Sequence, residues 1–431
     1  MSNQLSLDVS SVPKEWLTTP CGVFFKVKSI KNTEGEMNLS VYRDYGVIPK
    51  DSRNDNHNRV SEDTSNYKLV EPGDFVLNKM KGWSGSLGVS DYRGIVSPSY
   101  TVLEPIKEID NKYFHYLLRS ETYRQIYESL SYGVRIGQWE LRYHDFKRIP
   151  SLYPPMEEQK LISRYLDKKI SQIDSLVDKV KKKIDLLKEQ KTSLINKVVT
   201  KGLNPNVEMK YSGIEWVGKI PTDWDVLKLK RVGEIYGGLT GKSGDDFGQE
   251  DSPLNKPYIP YTNIFRNTYI SREHFDLVSI QPEENQNNVK RLDLFFLMSS
   301  ENYDDLGKTS ILVDDVGELY LNSFCKGFRI NNSKINPLFL NYQLNGDVFK
   351  KLISINGFGF TRINLRQDKL LSISILLPPL IEQEQIILYL DKKTKVIDET
   401  ISKEVRRIQL LKEYNQSLIS EVVTGKKRVV S

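Results

Sequence analysis

The chain has 431 residues, 39% of them hydrophobic, and no apolar run nears the ~20 residues that cross a bilayer, which excludes a membrane-spanning helix. Lysine and arginine number 62 against 56 aspartate and glutamate, a net charge of +6 whose sign suits a polyanionic partner. Cys21 and Cys325 are too few and too far apart for a disulfide framework or a zinc site, and the start Met1-Ser2-Asn3-Gln4 has no secretory pattern, so a cytoplasmic setting is expected.

Val12-Pro13-Lys14-Glu15-Trp16 opens the first domain. Short apolar runs at Phe75 to Leu77, Ile95-Val96 and Tyr100 to Leu103 predict strands, and Tyr113 to Leu130 predicts a helix. The polar loop Tyr132 to Arg142 follows, and Pro154-Pro155 then marks a break, because proline restricts the residue before it and is tolerated in a first helical turn. From there Leu166, Ile170, Ile173, Val177, Val180, Ile184, Leu187, Lys191, Leu194 and Val198 recur in alternating steps of four and three, the seam of a coiled coil. Gly202 is the expected stop. The helix so bounded has about 45 residues and a length of roughly 65 to 70 Å.

The second half repeats the first. Ile220-Pro221-Thr222-Asp223-Trp224 echoes the opening segment, and Asp293 to Met298 echoes Asp74 to Met80. Leu294 to Leu297, Ser310 to Val313 and Phe328 to Ile330 predict strands, and Leu338 to Ile353 predicts a helix. Asn356-Gly357, Leu365 and Arg366 match Tyr132-Gly133, Leu141 and Arg142. Pro378-Pro379 then repeats Pro154-Pro155 at an offset of 378 − 154 = 224, which holds without a gap from Glu158-Gln159 and Glu382-Gln383 to Thr200 and Thr424. The second seam reads Leu390, Thr394, Ile397, Ile401, Glu404, Ile408, Leu411, Asn415, Leu418 and Val422, with Asn415 matching Lys191 as a polar position. Each helix needs an apolar stripe to bury and the other offers one of equal length, so the two are expected to pair. The chain thus divides into a first domain (1–153), a first helix (154–203), a linker and second domain (204–377), and a second helix with its tail (378–431). The expected fold class is α+β: two mixed α/β domains separated by two long helices.

Catalytic motifs fail on inspection. Gly237-Gly238-Leu239-Thr240-Gly241-Lys242-Ser243 lacks the first glycine of a phosphate loop, where Tyr236 stands, and Gly244-Asp245-Asp246 follows where a helix should begin. Tyr153-Pro154-Pro155-Met156 and Asn336-Pro337-Leu338-Phe339 each carry half of the loop of amino-methyltransferases and read as element boundaries. The domains instead carry basic residues beside aromatics and amides, side chains that read base edges or hold phosphates. Candidates for such contacts are Arg135, Gln138 and Arg142 in the first polar loop and Arg362, Asn364 and Arg366 in the second, with Lys79, Trp83, Arg266 and Lys326 as further candidates elsewhere in the two domains.

The segment Ser212 to Trp224, the run Gly73-Asp74 to Lys79-Met80 and the Pro-Pro, Glu-Gln and Leu-Asp-Lys-Lys blocks that open each helix resemble the DNA-specificity subunit of type I restriction-modification systems. The resemblance spans essentially the whole chain; Met156-Glu157 and Leu380-Ile381 stand where a Leu-Ala pair is common in the family. It implies two target-recognition domains, each reading half of an asymmetric bipartite site in double-stranded DNA, with the helices as an antiparallel, pseudo-two-fold coiled coil that sets the spacer. It also implies a non-catalytic chain that binds no cofactor. Two methyltransferase subunits would bring S-adenosylmethionine for adenine-N6 methylation, and restriction subunits would bring ATP, Mg and cleavage.

Overall fold

The computed structural model describes residues 12–31, 35–43, 45–52, 63–133, 139–248 and 252–429. The chain gathers into two compact units, one of Met1–Lys181 with Glu404–Ser431 and one of Lys182–Lys403. Each unit therefore holds one mixed α/β body, the opening half of the long helix that follows it, and the closing half of the other long helix. Among the described residues no helix is long and apolar enough to cross a membrane.

In unit 1 an antiparallel sheet runs in the order Phe25–Lys28, Tyr100–Pro105, Phe75–Asn78, Leu87–Val89. Its central strand is apolar without alternation because both faces are covered. Phe75 and Leu77 enter a core with the helices, whereas Val76 packs with Leu39, Val41, Val47, Val70 and Val96 on the other side. Unit 2 uses the same plan, with Gly233–Gly237, Cys325–Ile330, Leu294–Leu297 and Thr309–Ile311 in order. Leu294 and Phe296 face one core and Phe295 and Leu297 another. The strand expected over Ser310 to Val313 occupies Thr309–Ile311 instead.

Two helices expected to be continuous are broken. Tyr113 to Leu130 divides into Asn111–Arg119 and Glu121–Leu130, because Ser120 is extended (ψ 155°) and its hydroxyl donates to the Leu117 carbonyl. Leu338 to Ile353 divides in the same way at Gly346, into Pro337–Asn345 and Asp347–Ser354. An added Cβ at Gly346 would stand 2.9 Å from Asn196 Oδ1 on the first long helix, so the break is also a close approach.

The long helices run Met156–Lys201 and Leu380–Val423, and Gly202 (φ +71°) and Gly425 (φ +75°) terminate them in the left-handed conformation. Every seam position named above is buried or partly buried. In unit 1, Ile162, Leu166, Ile173 and Val177 from the start of the first helix share a core with Leu418, Val422 and Val423 from the end of the second. In unit 2 the roles exchange: Val198 and Val199 pack with Ile386, Ile387 and Leu390, and Lys191 Nζ reaches Asp398 at 2.7 Å. Within each unit the helix segments are therefore antiparallel. The matched polar seam residues differ in outcome, since Asn415 Oδ1 is buried without a hydrogen-bond partner among the described residues.

Each unit locks its helix to its body by one repeated joint. Trp16 Nε1 donates to Glu158 at 2.9 Å, and Trp224 Nε1 donates to Glu382 at 2.8 Å. Gln159 and Gln383 donate to Pro154 and Pro378 carbonyls, both at 2.8 Å, and accept from the backbone N–H of Asp110 (3.0 Å) and Asn336 (2.7 Å). Asp110 and Asn336 are themselves N-caps, so one buried glutamine ties the entry of the long helix to the entry of a shorter one. Tyr116 and Tyr342 close the joint by donating to Asp167 (2.6 Å) and Asp391 (2.5 Å).

His115 makes unit 1 sensitive to acid. Burial, with the Arg119 charge nearby, pushes its imidazole down to about 3, and Nδ1 accepts from Val89 N–H at 3.3 Å. An unfolded chain takes up this proton below about 6.5, whereas the folded one does not until about 3, so stability is whole above that window and falls as pH drops through it. We expect a loss on the order of 5 kcal/mol between those limits. His115→Asn, which keeps an acceptor for Val89, should flatten that part of the curve in urea titrations at stepped pH.

Candidate nucleic-acid interface

The same two loops meet in both units. In unit 1 the turn after Phe75–Asn78 carries Lys79 to Ser86, and Leu141 N–H donates to the Lys79 carbonyl at 2.9 Å. In unit 2 the turn after Leu294–Leu297 carries Met298 to Leu306, and Leu365 N–H donates to the Met298 carbonyl at 2.8 Å. Leu141 and Leu365 are related by the helix offset of 224, so the polar loop before each long helix is pinned to the same place on each sheet. Gly82 permits the approach in unit 1, where an added Cβ would meet Leu77 at 2.9 Å and Leu141 at 3.2 Å.

What the loops present differs. In unit 1 Trp83 and Trp139 form an edge-to-face pair 5.3 Å apart, and Trp83 Nε1 donates to the Met80 carbonyl at 3.2 Å. The Arg142 guanidinium lies 4.7 Å over the half-exposed Tyr132 ring, with Nε 3.3 Å from Glu140. Lys79 lies among other cations: burial lowers Lys68, and Lys79 and Lys31 lower it further. Burial is the larger cause, and the two ammonium groups add to it. Lys79, Trp83 and Arg142 are thus brought together. Arg135 and Gln138 lie outside the described residues.

In unit 2 the strand Ile363–Leu365 pairs on one side with Gly357–Phe358 and on the other with Ser299–Ser300. Arg362 Nε donates to Ser299 Oγ at 3.3 Å, and its guanidinium lies 5.2 Å over Phe324. Asn364 Nδ2 donates to the Arg362 carbonyl at 3.2 Å, and Arg366 pairs with Asp368 at 3.1 Å. Beside them is a cleft of about 460 Å³ lined by Tyr261, Phe265, Asn302, Phe324, Thr361 and Arg362, among others. Arg266 is exposed at the end of the helix Tyr261–Arg266 whose rings face this cleft, but it does not line it. Lys326 is also absent from the lining; it lies on the strand Cys325–Ile330, opposite Gly237 and Phe296. Tyr261, Phe265, Ser299, Asn302 and Phe324 were not singled out from sequence. Carrying the Asp74/Asp293 match a few residues further would have reached the 299–302 turn.

Two other sequence features are structural. Lys242, in the incomplete phosphate loop, has a side chain 5% exposed and paired with Glu284 and Asp246, and a three-residue 3-10 turn follows it. Arg329, basic in sequence, is committed to the buried Asp293 at 2.6 Å.

Residues 13–186 and 221–407 match the family described as type I restriction modification DNA specificity domain. The chain is 26% identical over 428 residues to the type I restriction enzyme MjaVIII specificity subunit of Methanocaldococcus jannaschii, covering 97% of this chain and 94% of that one. It is 24% identical over 373 residues to the StySPI specificity subunit of Salmonella potsdam, covering 83% and 75%. A solved chain from a study of complex assembly and conformational transition of the type I R-M system aligns with TM-score 0.69 and 15% identity, over 96% of this chain and 99% of that one. The HsdS subunit from Thermoanaerobacter tengcongensis aligns with TM-score 0.53 and 16% identity, over 96% and 98%. These two show the fold. With two matched domains and a pair of packed long helices, the chain belongs to the type I restriction-modification specificity subunits.

Proposed function

We propose that each unit reads one half of an asymmetric bipartite target in double-stranded DNA and that the paired helices set the spacer. The chain itself performs no chemistry. Two methyltransferase subunits supply S-adenosylmethionine for adenine-N6 methylation, and restriction subunits supply ATP, Mg and cleavage, in the cytoplasm. The contacts are Lys79, Trp83, Arg135, Gln138 and Arg142 in one half, and Arg362, Asn364 and Arg366 in the other, with Arg266 and Lys326 at its margin.

One observation carries the reading: the pair of loops is pinned by the same backbone hydrogen bond in both units yet presents different side chains. A shared scaffold with different readers suits two unlike half-sites. Duplex grooves repeat about every 34 Å, so readers on one face of the DNA favour half-sites near one turn apart.

Insertion of a few residues after Lys188 is expected to change the tolerated spacer and leave both half-sites alone, as read by sequencing methylated adenines after co-expression with the modification subunits. Altered half-sites with an unchanged spacer would contradict the reading. Failure of the chain to bind duplex DNA, with and without those subunits, would favour a protein-binding scaffold instead.

A further inference from the structure

Four aromatic side chains of unit 2 stand in solvent on the three segments that border the cleft, the 298–306 turn, the turn at Phe324 and the hairpin at 357–362. Tyr303, Phe324 and Phe358 are 49%, 57% and 52% exposed, and Phe360 is fully exposed. A lone exposed ring is ordinary; four on adjoining segments, with a cation among them, mark a surface that something covers.

Phe360 is the most prominent and its support is braced. It sits at the turn between Gly357–Phe358 and Ile363–Leu365, whose ladder is backed by Ser299–Ser300. Gly359 adopts φ +120°, and an added Cβ there would stand 2.2 Å from the Arg362 carbonyl oxygen, so the turn closes backbone against backbone. Arg362 is fixed at the foot of this turn by Ser299 and Phe324. Phe360 and Arg362 are two residues apart, at most about 7 Å along the backbone, so the ring and the guanidinium reach neighbouring parts of one bound partner.

Resting on the DNA-reading assignment above, we propose that Phe360 enters the base stack of the duplex held by unit 2 and opens one base step, with Arg362 on a flanking phosphate. Apolar wedges of this kind trade stacking between bases for stacking on the ring. Because Phe360 makes no packing contribution to the fold, its replacement should leave thermal unfolding unchanged.

The test uses a duplex selected from a random pool by the wild-type chain with its modification subunits. 2-Aminopurine is placed at successive positions of the half-site read by unit 2. Wild type should brighten one position. Phe360→Ala should lose that signal and bind about ten- to a hundred-fold more weakly, Phe360→Trp should keep it, and Arg362→Ala should reduce the salt dependence of binding. Absence of brightening with wild type, or unchanged affinity for Phe360→Ala, overturns the proposal. Loss of subunit assembly in Phe360→Ala without brightening in wild type also overturns it and assigns the ring to a protein contact. If wild type selects no duplex, the DNA-reading assignment itself has failed.

Discussion

Trp224→Ala is expected to destabilise unit 2 by about 3 to 5 kcal/mol, the cost of deleting a large side chain from a closed core. Trp224 is fully buried, packs edge-on against Phe339 with centroids 6.4 Å apart, and lies against the Gly202 turn. The loss reaches beyond volume. Burial already pushes the Glu382 carboxyl up, and the Trp224 hydrogen bond holds it down, so removing the indole leaves a poorly solvated acid at the entry of the second long helix. Trp224→Phe retains most of the ring and isolates the hydrogen bond, with an expected cost of about 1 to 3 kcal/mol. Hydrogen exchange over the helix entry should reveal the first variant as a drop in protection confined to unit 2. Protection there equal to wild type would show that the joint is dispensable.

Asp293→Ala should cost a similar amount, about 3 to 5 kcal/mol, for an electrostatic reason. The carboxylate is 2% exposed and accepts four hydrogen bonds: two from Arg329 (3.0 and 2.6 Å), one from the Tyr236 hydroxyl (2.7 Å) and one from Lys290 N–H (2.8 Å). Its counterpart Asp74 accepts from Lys28 Nζ and Glu71 N–H, both at 2.8 Å. Lys28 keeps a second carboxylate, Glu71, so Asp74→Ala should cost less than Asp293→Ala. Urea midpoints for the two variants, with hydrogen exchange assigning the loss to each unit, test the ranking. Equal losses would show that the number of donors stranded does not set the cost.

The long helices were legible because their signals are local and repeated. Proline pairs start them, glycines stop them, and the seam spacing needs no tertiary information. Helix continuity was less so: Ser120 and Gly346 break helices whose apolar pattern runs on, because the breaks serve a hydroxyl bond and a close approach that arise only after folding. The match of Asp74 with Asp293 hid a difference. Gly73 takes φ +96° at low cost, while Leu292 holds φ +67° in the same turn, the one non-glycine with positive φ among the described residues. The candidate interface was half readable. The polar loops announced themselves by composition, whereas Ser299, Asn302 and Phe324 reach the cleft only through strand pairing and turns that bring distant segments together.

The exchange of helix ends between the two units has a consequence for synthesis. Leu418, Val422 and Val423 belong to the same core as Trp16, Phe75 and Leu166, yet they leave the ribosome about 250 residues after Leu166. The body made first is finished last, and until then the apolar stripe at the start of the first helix has no partner. Long-range closure of this kind slows folding and prolongs the interval in which an unfinished surface can meet a neighbouring chain. A nascent polypeptide stopped near Glu404 would thus carry a complete second body and an open first one.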